Sequence, residues 1–281
     1  MIPAGVRYMF MATLFFSLMN ITVKRLSYLP TVELMFFRSI ISATVTFYQL
    51  RRLGIAPLGV HRRNLILRGA FGSLGLFAYF FSLQYMPLAS AVTLQYLAPI
   101  FAVILGALLL GEGLSLARWC LLLLAFMGVV LISDFDPRIS PTELGIALIG
   151  ALSGGAAYFM IRMLRKTDHP LVVVLYFPLV SLPIVAPLSL PVWVWPASWM
   201  DALIVLIMGL TTQLAQVNLT KAYQAEPAGN VSVVAYLGAV LALIFGFLLW
   251  GETYHWISLL GILLVVASVA VSMFLKVHKP V

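Results

Sequence analysis

Apolar residues run along this chain in long unbroken blocks, without the one-faced or alternating patterns of a water-soluble fold. The blocks fall near residues 6–23, 32–50, 66–84, 88–110, 116–133, 143–163, 171–190, 202–222, 228–250 and 256–275, each bounded by charge, proline or glycine. Such a length matches the roughly 20 residues of helix that cross a hydrocarbon layer about 30 Å thick. Helices are implied because a lipid-embedded span must satisfy every backbone N–H and C=O within itself, and the alternation of a barrel strand is absent. The pattern predicts an all-α integral membrane protein of ten transmembrane helices. Residues 6–23 have the length of a secretion signal, but no small-residue cleavage pattern follows and Lys24-Arg25 do, so this block is read as the first helix.

Composition agrees. Of 281 residues 63% are hydrophobic and 9% charged, against roughly 25% charged in a soluble domain, and mean hydropathy is +1.07. The loops leave no room for a soluble catalytic domain. The net charge of +8 does not point to nucleic acid, because no basic run is long or flanked by a soluble fold. Its distribution instead gives orientation. With a cytoplasmic N-terminus, thirteen basic residues fall in inner segments: Arg7, Arg51, Arg52, Arg62, Arg63, Arg68, Arg118, Arg162, Arg165, Lys166, Lys221, Lys276 and Lys279. Three, Lys24, Arg25 and Arg138, fall outside, with the acidic group Asp134, Asp136 and Glu143, and Arg38 lies inside the second helix. Both termini are therefore expected in the cytoplasm and the chain in the cell (inner) membrane. Cys120 stands alone, and His61, His169, His255 and His278 are too scattered for a metal site. No phosphate-binding loop with Lys and Ser/Thr occurs, so ATP-driven transport by this chain alone is not expected.

The chain also repeats itself. Sliding it along itself until Pro87 meets Pro227 aligns its halves without a gap: Pro87/Pro227, Tyr96/Tyr236, Leu97/Leu237, Gly106/Gly246, Gly111/Gly251 and Glu112/Glu252 are among ten identities in the 26 positions 87–112. Gly5/Gly145, Gly69/Gly209, Leu74/Leu214 and Gln84/Gln224 keep the same offset. Leucine pairs match by chance, but Tyr, Gly, Glu, Gln and Pro pairs at one shift do not. Five helices per repeat is an odd number, so the predicted architecture is two inverted five-helix repeats, residues 1–137 and 138–281. Inverted repeats supply two similar halves that exchange conformations in many secondary transporters.

The Gly111-Glu112 and Gly251-Glu252 pairs each follow a helix of the form Pro…Tyr-Leu…Gly and precede a helix entered through Trp119 or Trp256. With Glu33…Arg38 near the start of the second helix, the whole chain resembles the drug/metabolite transporter superfamily, EamA type. The resemblance implies a ten-helix fold with a central cavity lined mainly by helices 1, 3, 4, 6, 8 and 9. It implies transport of amino acids, sugars, nucleoside-like cofactors or amphipathic cations, and it is nearly silent on which. Two positions break the repeat: Arg38 is matched by Pro178, and Pro99 by Ala239.

Polar residues inside a bilayer face a bundle interior or a wet cavity. The substrate-binding candidates are Thr13, Ser17 and Asn20 in helix 1, Tyr79 in helix 3, Gln95 and Tyr96 in helix 4, Tyr158 in helix 6, Gln213 and Gln216 in helix 8, and Asn230 and Tyr236 in helix 9. Each of these side chains serves equally well as an interhelical hydrogen-bond partner. Gating or structural roles fall to Arg38, Pro99, Glu112 and Glu252: Arg38 either snorkels or acts as a lock or anion contact, and the two glutamates either cap a tight loop or couple protons. Gly69, Gly72 and Gly75, and the Gly150-x-x-x-Gly154 pair, suit close helix packing.

No carboxylate stands in the middle of a cavity helix, which argues against a dedicated cation exporter and favours a neutral or zwitterionic solute. The expected function is a secondary transporter of a small organic metabolite, working by alternating access, with no cofactor and no enzymatic activity. The substrate and membrane lipid are the expected partners, protons a candidate coupling ion, and the working form a monomer or homodimer. A lipid or lipid-linked-sugar translocator and a multidrug exporter of the same fold are the alternatives.

Overall fold

A computed structural model describes residues 3–110, 138–225 and 237–274, together with residues 116, 120, 121, 123, 124, 127, 128, 131, 234 and 235. The described elements are helical: α1 (Ala4–Arg25), α2 (Thr31–Arg52), α3 (Arg62–Tyr85), α4 (Leu88–Gln95), α5 (Ala98–Leu110), α6 (Pro141–Leu164), α7 (Pro170–Ser189), α8 (Trp199–Ala225), α9 (Leu237–Trp250) and α10 (Trp256–Phe274). Among the described residues, six segments are long and apolar enough to cross a membrane: Ala4–Arg25, Arg62–Tyr85, Leu88–Gly106, Pro141–Leu164, Pro170–Val192 and Trp199–Ala225. The 22-residue α2 matches them in length but carries Glu33, Arg38, Arg51 and Arg52. The predicted span at 116–133 lies largely outside the described residues.

The block at 88–110 is not one helix. It divides at Tyr96–Leu97, because Pro99 has no N–H to donate and its ring collides with the carbonyl four residues back, that of Gln95. Tyr96 N–H donates to Thr93 at 3.0 Å and Leu97 N–H to Leu94 at 3.1 Å, so the end of α4 tightens into shorter-range bonds. At the head of α6, Ser140 accepts from Glu143 N–H at 3.3 Å while the Glu143 carboxylate accepts from Ser140 N–H at 2.8 Å. This capping box, with Pro141 in the first turn, starts the helix at a defined residue. Glu143 thus serves as a cap.

Helix packing follows small residues. The missing side chain of Gly75 brings the α3 backbone against Gly150 and Gly154 of α6, where a methyl group would stand 3.0 Å from Gly154 N. The most extensive contacts join α3 to α6 and α1 to α8. The offset that relates the two halves of the sequence exchanges these two contacts, and likewise α2–α8 with α3–α7 and α1–α9 with α5–α6.

The face where α1 begins is here termed proximal, the opposite one distal. Distally, Tyr28 Oη donates to Asp201 at 3.0 Å and Gln84 Nε2 to the Leu29 carbonyl at 2.8 Å. Proximally, His61 N–H donates to Asp168 at 3.4 Å and Gln224 Nε2 to the Asp168 carbonyl at 3.3 Å. Residues 28 and 201 at one face thus correspond to 168 and 61 at the other. Exposed Trp195 lies in the distal loop before α8, and exposed Trp199 and Trp256 open α8 and α10 at the same face, where amphipathic rings meet a membrane–water boundary.

Candidate substrate cavity

A cavity runs between the halves, enclosing about 910 Å³ of atom-free space with its solvent-open part included. Its walls come from α1, α3, the α4–α5 break, α6, α7, α8 and the start of α9. Helical spacing explains the α1 wall: Thr13, Ser17 and Asn20 recur at four and three residues and so lie on one face. Thr13 and Ser17 donate their hydroxyl hydrogens back to Met9 and Thr13 carbonyls, both at 2.9 Å. Their oxygen lone pairs remain to line the space.

Toward the distal end, Tyr79 Oη donates to Asn20 Oδ1 at 3.0 Å. Tyr96, at the α4–α5 break, reaches across and donates to the Ala235 carbonyl at 2.6 Å. Gly238 lies beneath that hydroxyl, and any side chain there would overlap it. The break thus exposes Gln95, Tyr96 and Pro99 to the cavity, as interrupted helices do where irregular backbone faces water. Toward the proximal end Tyr158 of α6 and Tyr223 of α8 stack, ring centroids 5.1 Å apart at 29°. Met9, Phe16, Leu76, Val92 and Leu219 supply apolar wall between these groups.

Thr13, Ser17, Asn20, Tyr79, Gln95, Tyr96, Tyr158 and Gln216 therefore share one cavity, with Pro99 beside them. Gln213 is placed elsewhere. Its Nε2 donates to Thr46 Oγ1 at 2.6 Å and its Oε1 accepts from Ser42, so it ties α8 to α2. Three residues separate it from Gln216, which leaves the two side chains about 60° apart around the helix, so one amide meets α2 at the edge of the shared face while the other enters the cavity. Asn230, Tyr236 and Glu112 lie outside the described residues. Arg38 does not snorkel: it is 0% exposed, its guanidinium carbon 3.8 Å from the centroid of the Phe177 ring.

Arg68 counts by sequence among the inner-segment charges, yet it forms part of the cavity wall and is 1% exposed. Its Nη2 donates to Gln216 Oε1 at 3.1 Å. The available signal is its place inside an apolar block one turn before Gly72, whose missing side chain leaves room for the guanidinium.

Glu252 is an acceptor at the distal face of the bundle. Its Oε1 pairs with Lys24 Nζ at 2.6 Å, while Oε2 accepts from Leu88 N–H at 2.9 Å and from Tyr254 Oη at 2.5 Å. The second half thereby caps the first turn of α4 in the first half. Burial, then the hydrogen bond to Glu252, raises the Tyr254 pKa, so its hydroxyl stays a donor. Arg138 Nη2 adds a bond to the Thr253 carbonyl at 2.9 Å. Among the described residues no group of three His, Cys, Asp or Glu could hold a metal ion.

The model of the EamA-like transporter family matches this chain twice, over residues 3–134 and 142–274. The chain belongs to that family. It is 33% identical over 275 residues to a pseudopaline exporter of Pseudomonas aeruginosa, covering 97% of both chains. A Helicobacter pylori transporter is 31% identical, over 94% of this chain and 92% of the relative. The riboflavin transporter of Vibrio cholerae is 28% identical, over 95% and 91%. A crystal structure superposes with a TM-score of 0.71 at 20% identity, covering 95% of each chain, which supports the fold alone. Family, relatives and apolar helices together make this a multi-pass membrane protein of a transporter family, and they speak for transport of small molecules and not for enzymatic activity.

Proposed function

We propose that this chain is a secondary active transporter that moves a small organic metabolite across the cytoplasmic membrane by alternating access. Ten transmembrane helices, in inverted repeats spanning residues 1–137 and 138–281, would rock about the cavity with both termini in the cytoplasm. The observation that carries this reading is a cavity walled by both halves, whose closing contacts at one face have repeat-related counterparts at the other. Two halves related in this way make inward-open and outward-open arrangements of similar energy, and a substrate held between them biases neither strongly. The pseudopaline exporter and riboflavin transporter among the relatives are compatible with an organic solute of metabolite size, and a gradient of solute or protons in place of ATP is the proposed driving force.

The Lys24–Glu252 ion pair and the α4 cap are the proposed distal gate. Counterflow in proteoliposomes tests the mechanism: unlabelled solute inside should accelerate uptake of the labelled solute, with ATP irrelevant. A Lys24→Cys/Glu252→Cys pair, bridged by a flexible bis-thiosulfonate linker, should stop exchange, and reduction of the linker's disulfides should restore it. Exchange that continues through the cross-link, or flux at the rate of an open pore, would count against alternating access.

A further inference from the structure

We propose that the cavity binds a solute carrying an oxyanion, with Arg68 as the residue that receives the negative group. This rests on the reading of the cavity as a substrate site and narrows its chemistry. Nε and Nη1 of Arg68 donate to nothing among the described residues, although the side chain is 1% exposed and forms cavity wall. Arg38, 0% exposed, has no hydrogen-bond partner among the described residues at any of its three guanidinium nitrogens. The two cations lie 3.8 Å and 5.2 Å from the centroid of one ring, that of Phe177, which itself lines the cavity.

Among the described residues, nothing near them neutralises this charge. Each described carboxylate has its contact elsewhere: Glu33 with Val194 N–H through one oxygen, its other oxygen unpartnered, Glu143 in the α6 cap, Asp168 with Val60 N–H, Asp201 with Tyr28, and Glu252 with Lys24. A buried guanidinium carries a large desolvation penalty unless an anion pairs with it, and an ionisable group at membrane depth marks a substrate or ion path by default. The guanidinium is a planar fork of fixed donors that fits carboxylate or phosphate oxygens. Here one donor is held by Gln216 and the rest are left for a ligand. Gly72 is the structural allowance, since a methyl group there would overlap Nη1 of Arg68 and the Phe177 ring.

Arg38 stands behind Phe177 and outside the wall, so its role is a field of the same sign. Of the neutral and zwitterionic classes that the sequence suggests, a solute with no negative group leaves both charges uncompensated. The body of the bound solute would extend from the proximal Tyr158–Tyr223 stack distally toward Asn20 and Tyr79.

The test is the melting temperature of the purified full chain in nanodiscs at constant ionic strength. The probes are citrate and L-glutamate, with L-glutamine as the neutral counterpart, and inorganic phosphate. Saturable stabilisation by citrate or glutamate assigns a carboxylate, and by phosphate alone a tetrahedral oxyanion; glutamine should do nothing. Arg68→Gln should weaken the effective anion about thirtyfold or more, Arg68→Lys should retain part of it, and Arg25→Gln, at an exposed arginine, should retain all of it. Without ligand, Arg68→Gln should melt higher than the wild type, because an uncompensated buried charge is gone. The proposal is overturned if no anion raises the melting temperature, or if Arg68→Gln melts no higher and responds to anions unchanged. Binding without counterflow would overturn the transport reading and leave this one standing, whereas counterflow of a neutral solute that ignores Arg68→Gln would do the reverse.

Discussion

The distal end of the bundle and the surroundings of Phe177 each hold basic side chains in largely buried positions, and they treat them oppositely. At the distal end Lys24 is 11% exposed and paired with Glu252, itself 10% exposed, and it also donates to the Met86 carbonyl at 2.8 Å. Glu252 accepts from Leu88 and Tyr254 in turn, so the pair joins the ends of α1, α4 and α9. Around Phe177, Arg38 and Arg68 keep most of their donors idle. Coulomb attraction in a low-dielectric site is strong only where the partner is present. Saturated charges fasten helices, and unsaturated ones hold interaction energy for a molecule that comes and goes.

Breaking the saturated side should give the largest change. Glu252→Ala leaves Lys24 unpaired and α4 uncapped, and should cost about 3 kcal/mol of stability. It should also raise maleimide labelling of a cysteine placed at Ala89. Replacing both Lys24 and Glu252 by Met should recover much of the loss, since an apolar pair leaves no buried charge behind. Thermal unfolding and labelling check this, and equal losses in the single and double variants would show that the ion pair is not the fastening.

A smaller effect separates two glutamines on one helix. Gln213→Ala leaves Ser42 and Thr46 without their partner and should cost about 1–2 kcal/mol with solute exchange unchanged. Gln216→Ala takes the hydrogen-bond acceptor away from the buried Arg68 guanidinium, and should both reduce exchange in proteoliposomes and cost stability. If the two variants behave alike in both measurements, the division between packed and cavity faces of α8 is misplaced.

The smallest effect is expected at the proximal face, where His169 Nδ1 accepts from Leu171 N–H at 3.3 Å and caps α7. Burial, then the nearby Lys221 charge, lowers its pKa below the ordinary histidine value. The folded protein therefore favours neutral imidazole. This contribution is complete above the unfolded pKa of about 6.5 and is lost as pH falls through the lower folded value. The melting temperature should decline between about pH 7 and pH 5 slightly more in the wild type than in His169→Asn, which keeps a capping oxygen at any pH. Parallel declines would remove His169 from the account.

Much of the cavity is legible in the sequence because helical periodicity is a local property. Thr13, Ser17 and Asn20 share a face by arithmetic alone, and Pro99 announces an interruption because its missing N–H does not depend on context. The glycine spacing of α3 and α6 likewise points to the close approach of Gly75 and Gly154. Gln213 and Gln216 are not separable in this way, since a stripe of amides on one helix does not say which neighbour each will meet. Arg68 passes for an inner-segment charge because counting basic residues by segment is blind to the direction of a side chain.

By itself the sequence determined that the chain is helical and lipid-embedded, that its halves repeat at one constant offset, and which residue types line its helices. These follow from the bilayer's demand for internal hydrogen bonding and from fixed helical geometry. Only the tertiary structure decided which charges find partners. Lys24 and Glu252 come from opposite ends of the chain and meet at 2.6 Å, whereas Arg38 and Arg68 converge on Phe177 with no described carboxylate beside them. Compensation of a buried charge depends on distances across the bundle, and those distances are set by how small residues let the helices close on one another.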